Sequence, residues 1–197
     1  TQGNRMFFVV RSSHPGREAK ILLQLATNTY NAYNGFGGFS LYTYWGPAHW
    51  DKKHEPGDEL GRRGSFQRPF NGIDRNWELP FIRWSERAGY KIDYAINSDL
   101  EFHPEILDHY KLVLSVGHDE YWSAPMRDHL EAYIANGGNV AFFSGNTCCW
   151  QVRSEDGGND LVCWKEAYEQ DPLYKPDGQP LLSTLWSHHL VKRPENQ

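Results

Sequence analysis

Three adjacent polar residues, His118, Asp119 and Glu120, follow directly on a short apolar run and Gly117 in this sequence. The run, 112–116, is Leu-Val-Leu-Ser-Val, which is typical of a buried parallel strand that Gly117 would end. In open α/β sheets, ligands bind at the carboxyl ends of the strands. Imidazole and carboxylate groups can ligate a metal ion or transfer protons. The turn after this strand is therefore the first candidate for an active site.

Two other segments are predicted to open on the same edge of the sheet, because each follows a predicted strand. The first, 28–44, contains several tyrosines and glycines, and the second, 144–148, contains Ser144, Asn146 and Thr147. Together the three segments supply phenols, a carboxylate, an imidazole and an amide, which are hard oxygen ligands and proton-transfer groups. The turn after the central strand has no cysteine or serine placed as a nucleophile. This disfavours covalent catalysis and favours metal-assisted or water-based chemistry.

The elements that must hold these segments alternate regularly after residue 80. The sequence predicts strands over 6–11, 20–27, 91–96, 112–116 and 139–143, helices over 80–88, 98–109 and 124–135, and a hairpin over 149–155 and 161–165. Ser98 and Ser123 are the predicted N-caps of two of the helices. Segment 28–78, rich in glycine and aromatic residues, is predicted to be a long site-forming loop region. The alternation of helices and strands is typical of a doubly wound, mostly parallel α/β sheet, here in a single domain over 1–197.

Composition and charge exclude several classes of protein. The net charge of −5 is spread over 197 residues without a basic cluster, which argues against a nucleic-acid partner. No apolar run approaches the roughly 20 residues of a membrane span, so no membrane partner is expected. The three cysteines, of which Cys148 and Cys149 are adjacent, do not make a disulfide framework and predict a reducing, cytoplasmic compartment. Both ends, at Thr1 and Gln197, resemble cut ends, so we expect an internal piece of a longer protein.

Six short motifs of this sequence match one known family. They are Thr-Tyr-Asn-Ala-Tyr-Asn (29–34), Gly-Gly-Phe-Ser-Leu-Tyr (37–42), Gly-His-Asp-Glu-Tyr-Trp-Ser (117–123), Phe-Ser-Gly-Asn-Thr (143–147), Trp-Gln-Val-Arg (150–153) and Val-Cys-Trp-Lys (162–165). By these motifs the sequence resembles the C-terminal domain of the N,N-dimethylformamidase large (β) subunit family. The resemblance implies a class I glutamine-amidotransferase-like (flavodoxin-like) three-layer sandwich. It also implies an iron-dependent amidohydrolase that splits dimethylformamide into dimethylamine and formate.

The resemblance further implies a ligand set for one iron ion, expected as Fe³⁺ and held by two tyrosines and one glutamate. Glu120 matches the glutamate ligand, and Tyr33 and Tyr42 are the best matches for the two tyrosines. Tyr30 and Tyr44 are the alternatives, because the loop that carries the tyrosines varies in length. Phenolate and carboxylate oxygens are hard donors that suit a ferric ion.

Three polar residues match the surroundings of that metal and are the predicted catalytic residues: His118, Asn146 and Lys165. His118 would move protons to the leaving amine, and one further carboxylate is expected from a segment later than residue 197. The bound ion would polarise the amide carbonyl and lower the pKa of bound water. The predicted function is therefore the metal-dependent hydrolysis of a small amide. A small accessory subunit and a homo-oligomer are further expected partners.

Two other hypotheses remain open from the sequence. In the first, the chain is a non-catalytic or carbohydrate-associated ligand-binding domain of the same fold, whose aromatic-rich segment 28–50 binds the ligand. In the second, it is a hydrolase that uses another metal, such as zinc held by His118 and Glu120. Metal content and colour of the purified protein distinguish the three hypotheses.

Overall fold

A computed structural model describes residues 8–42, 61–69 and 72–193. In chain order the elements are β1 (Ile21–Leu25), α1 (Thr27–Ala32), β2 (Arg63–Ser65), α2 (Glu78–Arg87), β3 (Ile92–Ile96), α3 (Asn97–Phe102), β4 (Leu112–His118), β5 (Tyr121–Ser123), α4 (Ala124–Ala135), β6 (Asn139–Gly145), β7 (Trp150–Glu155) and β8 (Asp160–Val162). Short 3₁₀ turns cover Pro104–His109, Asp156–Gly158 and Lys165–Gln170. Helices and strands therefore alternate as the sequence predicts, which places the chain in the α/β class.

The central sheet has four parallel strands in the order β3-β1-β4-β6. β3 lies on one side of β1, and β4, the next strand of this sheet along the chain, lies on the other side of β1. The direction of winding thus reverses between β1 and β4. In open α/β sheets, the carboxyl ends of two such strands diverge and leave a crevice in which ligands bind.

Apolar side chains of the central strands alternate between two faces of the sheet, and helices cover both faces. Leu22 and Val113 pack on one face in a cluster with Met126 of α4. Leu23 packs on the other face in a cluster with Phe81 of α2. Because side chains at i and i+1 of a strand point to opposite faces, each buried strand supports both layers. The result is three layers, helix, sheet and helix.

A second, mixed sheet has the strand order β2-β8-β7-β5. β7 and β8 form the predicted antiparallel hairpin, with the turn at Asp156–Gly158. β5 is a short strand that runs parallel to β7 and stands between β4 and α4 in the chain. This arrangement brings the hairpin to the carboxyl end of β4, next to the predicted site.

Several predicted element boundaries are wrong, each for a local reason. Strand β1 ends at Leu25, and α1 begins at Thr27, the last residue of the predicted strand 20–27. The segment 28–78, which is predicted to be a loop region, contains most of α1 and all of β2. Gly117 does not end β4, because its φ of 95° is accommodated within the ladder, where it pairs with Ser144. Of the predicted strand 6–11, residues 8–11 are not in a strand, and the others lie outside the described residues.

The predicted helix 98–109 is two elements rather than one. It begins at Asn97, where the Asp99 carboxylate accepts a hydrogen bond from the Ile96 backbone N–H at 2.9 Å, so Ser98 is not its N-cap. It ends before Pro104, because proline disfavours the helical conformation of the residue before it. Ser123 is the N-cap of α4 as predicted, and its hydroxyl accepts from the Met126 N–H at 3.3 Å. Among the helices that the structure describes, none has the length and apolarity needed to cross a membrane.

Candidate functional site

Two tyrosine hydroxyls meet on one carboxylate at the crevice between β1 and β4. Tyr33, at the C-terminal end of α1, donates a hydrogen bond to Glu120 Oε2 at 2.9 Å, and Tyr42 donates to Oε1 at 2.8 Å. Trp150 Nε1–H also donates to Oε1, at 2.9 Å. Helix α1 follows β1, and Glu120 follows β4, so the neighbouring positions of these two strands bring the groups together. The result is a convergent set of oxygen atoms from two distant segments.

The backbone of Glu120 is held on two sides. Its N–H donates to the Thr29 hydroxyl of α1 at 2.9 Å. Its carbonyl oxygen accepts from the N–H groups of Cys149 and Trp150 at 3.0 and 2.9 Å. The residue is only 4% exposed. Glu120 is therefore fixed between α1 and β7.

The rings of Tyr33 and Tyr42 stack, with 4.2 Å between their centroids and 23° between their planes. Burial raises the pKa of Tyr33 to about 12. Burial also raises the pKa of Tyr42 well above its usual range. Without a cation at the site, both phenols keep their protons at neutral pH and donate them to Glu120. The two hydroxyl protons lie between the two phenol oxygens and the two carboxylate oxygens of Glu120.

Tyr121 is a site residue that the sequence analysis missed. It is fully buried, and its hydroxyl donates to the Tyr42 hydroxyl oxygen. Tyr121 and Trp150 both lie inside matched motifs, but buried aromatic residues in a chain rich in tyrosine and tryptophan are usually packing residues. The signal available in the sequence was their position: Tyr121 is adjacent to Glu120, and Trp150 is the first residue of the matched motif Trp-Gln-Val-Arg. Tyr121 adds one hydrogen-bond donor to the Tyr42 oxygen, and Trp150 adds one to the Glu120 carboxylate.

Lys165 lies against the aromatic side of this cluster. Its Nζ is 3.2 Å from the centroid of the Tyr42 ring, 5.3 Å from that of Tyr121 and 5.1 Å from that of Trp150. Burial lowers the pKa of Lys165 to about 8. Its backbone has a φ of 51°, an uncommon conformation for a residue other than glycine, which often marks a functional position. A positive charge therefore faces the π-system of Tyr42, and its proton is more easily lost than that of an exposed lysine.

His118 and Asn146 lie at the outer side of Glu120. The pairing of β4 with β6 brings them together, since His118 is opposite Gly145 in the ladder. His118 Nε2 is 3.1 Å from Asn146 Nδ2 and 3.5 Å from Glu120 Oε2. The imidazole also contacts the rings of Tyr33 and Trp77, with centroid distances of 5.8 and 6.3 Å. The structure thus gathers all six residues singled out from the sequence in one connected cluster: Tyr33, Tyr42, His118, Glu120, Asn146 and Lys165.

Asp119 is directed away from this cluster, into the protein. Its carboxylate accepts hydrogen bonds from Gln24 Nε2 at 2.7 Å and from the Ser115 hydroxyl at 2.8 Å. Asn97 Nδ2 is a third donor, at 3.4 Å. Burial raises the pKa of Asp119 to about 6. The expectation that the three adjacent residues act together is therefore wrong for Asp119, which ties the ends of β1, β3 and β4.

Tyr30 is also excluded as a partner of Glu120. Its hydroxyl donates to Oε2 of Glu78, the first residue of α2. Oε1 of Glu78 accepts from the Ala26 N–H at 3.4 Å, and Oε2 accepts from the Asp74 N–H at 3.2 Å. Burial raises the pKa of Glu78 to about 7. Tyr44, the other alternative, lies outside the described residues.

Replacing Glu78 with glutamine is expected to flatten the pH dependence of stability. An unfolded glutamate titrates at about 4.3, so between about pH 4 and 7 the native state holds a proton that the unfolded chain has lost. The free energy of unfolding of the unmodified protein therefore falls as pH rises through this range, by up to about 3 kcal/mol from this group. Glutamine has no proton to lose and removes this contribution.

The measurement is urea unfolding of the unmodified protein and of Glu78→Gln at pH 5 and at pH 8. Glu86→Gln, an exposed change on the same helix, is the matched control and should keep the pH dependence of the unmodified protein. Equal pH dependence in the unmodified protein and in Glu78→Gln would contradict the buried, protonated state of Glu78.

Histidine, cysteine and carboxylate side chains do not by themselves form a metal site in the described ranges. Within 8–42, 61–69 and 72–193, no group of three or more such residues is placed to hold a metal ion. His118 and Glu120 supply one imidazole and one carboxylate. The larger convergent set at this position consists of the Glu120 carboxylate and two phenol oxygens, those of Tyr33 and Tyr42.

The fold and this cluster define an α/β protein with a tyrosine–carboxylate site at the crevice of a parallel sheet. The family model described as N,N-dimethylformamidase beta subunit-like, C-terminal, matches residues 1–197. The chain belongs to this family. This confirms the resemblance that its motifs carry.

Two curated relatives have similar sequences over part of their length. The N,N-dimethylformamidase beta subunit of Alcaligenes sp is 35% identical over 86 residues, and that of Paracoccus aminophilus is 34% identical over 86 residues. Each match covers 41% of this chain and 11% of the relative. The chain thus aligns with about a tenth of the length of these relatives, both of which are named as the beta subunit of that enzyme.

Proposed function

We propose that this chain forms the active-site domain of an iron-dependent amidohydrolase that cleaves the C–N bond of a small amide. The observation that carries the proposal is the meeting of the Tyr33 and Tyr42 hydroxyls on the Glu120 carboxylate. Membership in the dimethylformamidase family supports the reaction class. The parallel sheet with helices on both faces supports the amidotransferase-like form of the fold. A small accessory subunit and self-association belong to the proposal, because the relatives are named as beta subunits.

The donor set fits a ferric ion. Two phenol oxygens and a carboxylate are hard ligands with up to three negative charges, which match a small trivalent cation better than a soft one. Tyr121 donates to the Tyr42 oxygen, and Lys165 places its charge on the ring of Tyr42. Both contacts favour negative charge on that phenol. Three protein ligands leave room for water and for the carbonyl oxygen of the substrate.

A bound ferric ion supplies a Lewis acid that polarises the amide carbonyl and acidifies water. The residues of the chain do the remaining work. His118, at the outer side of Glu120, is placed to carry a proton to the leaving amine, since imidazole is the side chain best suited to proton transfer near neutral pH. Asn146 contacts His118 Nε2 and orients the ring. The rings of Tyr33 and Trp77 pack on the imidazole and limit its rotation.

Metal analysis of the purified protein tests the proposal. We expect one iron per chain and a visible absorption band from phenolate-to-iron charge transfer, because a ferric ion bound to a tyrosine is coloured. The measurement is elemental analysis together with the visible spectrum after reconstitution with ferric and with zinc salts. A colourless protein that takes up neither metal would instead favour the ligand-binding domain, and bound zinc without colour would favour the zinc hydrolase.

The tyrosines are tested separately by substitution with phenylalanine, which keeps the ring and removes the oxygen. Tyr33→Phe and Tyr42→Phe should each weaken iron binding and change the charge-transfer band. Tyr174→Phe, in an aromatic contact with Tyr168 in another core cluster, is the matched control. An unchanged band in both site variants would assign the colour to other tyrosines.

A further inference from the structure

Arg68 binds the chain segment that lies between the two tyrosines of the site. Its Nη1 donates to the carbonyl oxygens of Asn34, Phe36 and Phe39, at 3.1, 3.0 and 3.0 Å. These three carbonyl groups all belong to one irregular segment, 34–39. A single guanidinium nitrogen thus lies at the centre of the loop that connects Tyr33 with Tyr42.

The other nitrogens of Arg68 fix this loop to the rest of the fold. Nη2 donates to the Asn31 side-chain oxygen at 3.0 Å and contacts the Asn31 carbonyl oxygen at 3.4 Å. Nε donates to the Ser65 carbonyl oxygen at 3.1 Å. The Asn31 amide in turn donates to the Gly64 carbonyl oxygen at 2.8 Å. Arg68 therefore joins the end of α1, the loop and β2.

All six acceptors of Arg68 are uncharged oxygens. The guanidinium is partly removed from water, and this burial lowers the pKa of Arg68. Carbonyl oxygens take the place of water as its hydrogen-bond acceptors. Within the described residues, the backbone bonds of this segment include Gly38 N–H to the Gly35 oxygen, Leu41 N–H to the Ala32 oxygen and Gly61 N–H to the Ser40 oxygen. Charge-assisted bonds from the fixed fork of arginine are stronger and more directional than these. Arg68 thus adds three charge-assisted hydrogen bonds to the backbone of this loop.

We propose that Arg68 is the positioning residue that folds segment 31–42 so that both tyrosine hydroxyls reach Glu120. It acts through the backbone of the loop and does not touch the reacting groups. For iron binding, the inference rests on the proposed function. For the conformation of the loop, it stands on the hydrogen bonds alone.

Arg68→Ala is the principal variant, with hydrogen exchange and iron affinity as its two readouts. We expect faster exchange of the Gly38 and Leu41 amides, with exchange in β1 and β4 unchanged. We expect iron affinity to fall roughly 10- to 100-fold, the usual effect of removing an outer partner of a metal site. The charge-transfer band of the iron that still binds should shift, because the tyrosines no longer share one geometry. Arg63→Ala is the matched control, since Arg63 lies in β2 and pairs with Glu155 and Asp160 at the surface.

Two milder variants cover the case in which Arg68→Ala does not fold. Arg68→Lys keeps the charge and loses the fork, so it should recover only part of the affinity. Gly64→Ala would place a Cβ atom 3.1 Å from Arg68 Nη2 and 3.4 Å from Asn31 Nδ2, so these groups must move by a few tenths of an ångström. It should shift the band in the same direction as Arg68→Ala, by a smaller amount.

The two readouts separate this inference from the proposed function. If the unmodified protein binds no iron, the proposed function fails, and the exchange of the loop amides still decides the role of Arg68. If loop exchange, iron affinity and the band are all unchanged in folded Arg68→Ala, the positioning role is overturned. If the control Arg63→Ala reproduces every effect, the effects are general to β2 and the inference is equally overturned.

Discussion

Glu120→Gln is expected to abolish iron binding while the protein stays folded. Glutamine has the shape of glutamate but no negative charge, and its amide nitrogen is not a ligand for a ferric ion. The side chain can still accept a hydrogen bond from Trp150 Nε1 or from one tyrosine. Glu120→Ala should lose iron as well and should also lower the free energy of unfolding by about 1–3 kcal/mol, because the buried donors on the carboxylate lose their acceptor.

Iron content, the visible spectrum and urea unfolding measure these effects. Glu101→Gln is the matched control, because Glu101 is a partly buried glutamate that accepts from the hydroxyls of Ser123 and Ser154, away from the site. It should keep a full complement of iron. Full iron content in Glu120→Gln and Glu120→Ala would show that Glu120 is not a ligand, and the proposed site would be wrong.

His118→Ala is expected to keep iron and to lose amide turnover by roughly two orders of magnitude or more, the usual scale of a general acid–base contribution. His118 Nε2 is 3.5 Å from Glu120 Oε2 and contacts Asn146, so it lies beside the ligand set and not within it. Turnover is measured with dimethylformamide as the substrate.

The pattern of iron content and turnover distinguishes three roles of His118. Loss of iron together with turnover would make His118 a ligand and would favour a site of histidine and carboxylate. Turnover equal to that of the unmodified protein would leave His118 a structural residue. His103→Ala, a change of an exposed histidine, controls for the loss of an imidazole and should alter neither quantity.

Much of the architecture follows from local sequence patterns. The apolar run at 112–116 predicts β4 because continuous apolar residues suit a strand that is covered on both faces. Ser123 predicts the start of α4 because its hydroxyl can accept a hydrogen bond from an N–H of the first turn. Such signals depend on a few neighbouring residues. They set the order of helices and strands and place the candidate residues at strand ends.

The sequence could not assign the side chains within these strand ends. Tyr30 and Tyr33 are three residues apart, but one hydroxyl meets Glu78 and the other meets Glu120. Asp119 and Glu120 are adjacent, but only Glu120 faces the crevice. These differences depend on which segments pack on either side of α1 and of the turn after β4. No local pattern contains that information.

The α/β class and the motifs of the family can be read from the sequence, and the resemblance predicts the six residues of the candidate site. The tertiary structure alone decided how these residues meet, since Tyr33 and Glu120 are 87 positions apart and are joined only because β1 and β4 are neighbours. It also decided the contacts of Arg68, whose type predicts a surface residue. Its contacts exist only after β2, α1 and the loop have come together. Side-chain type and spacing indicate what chemistry a chain can do, whereas long-range packing decides which groups share one site.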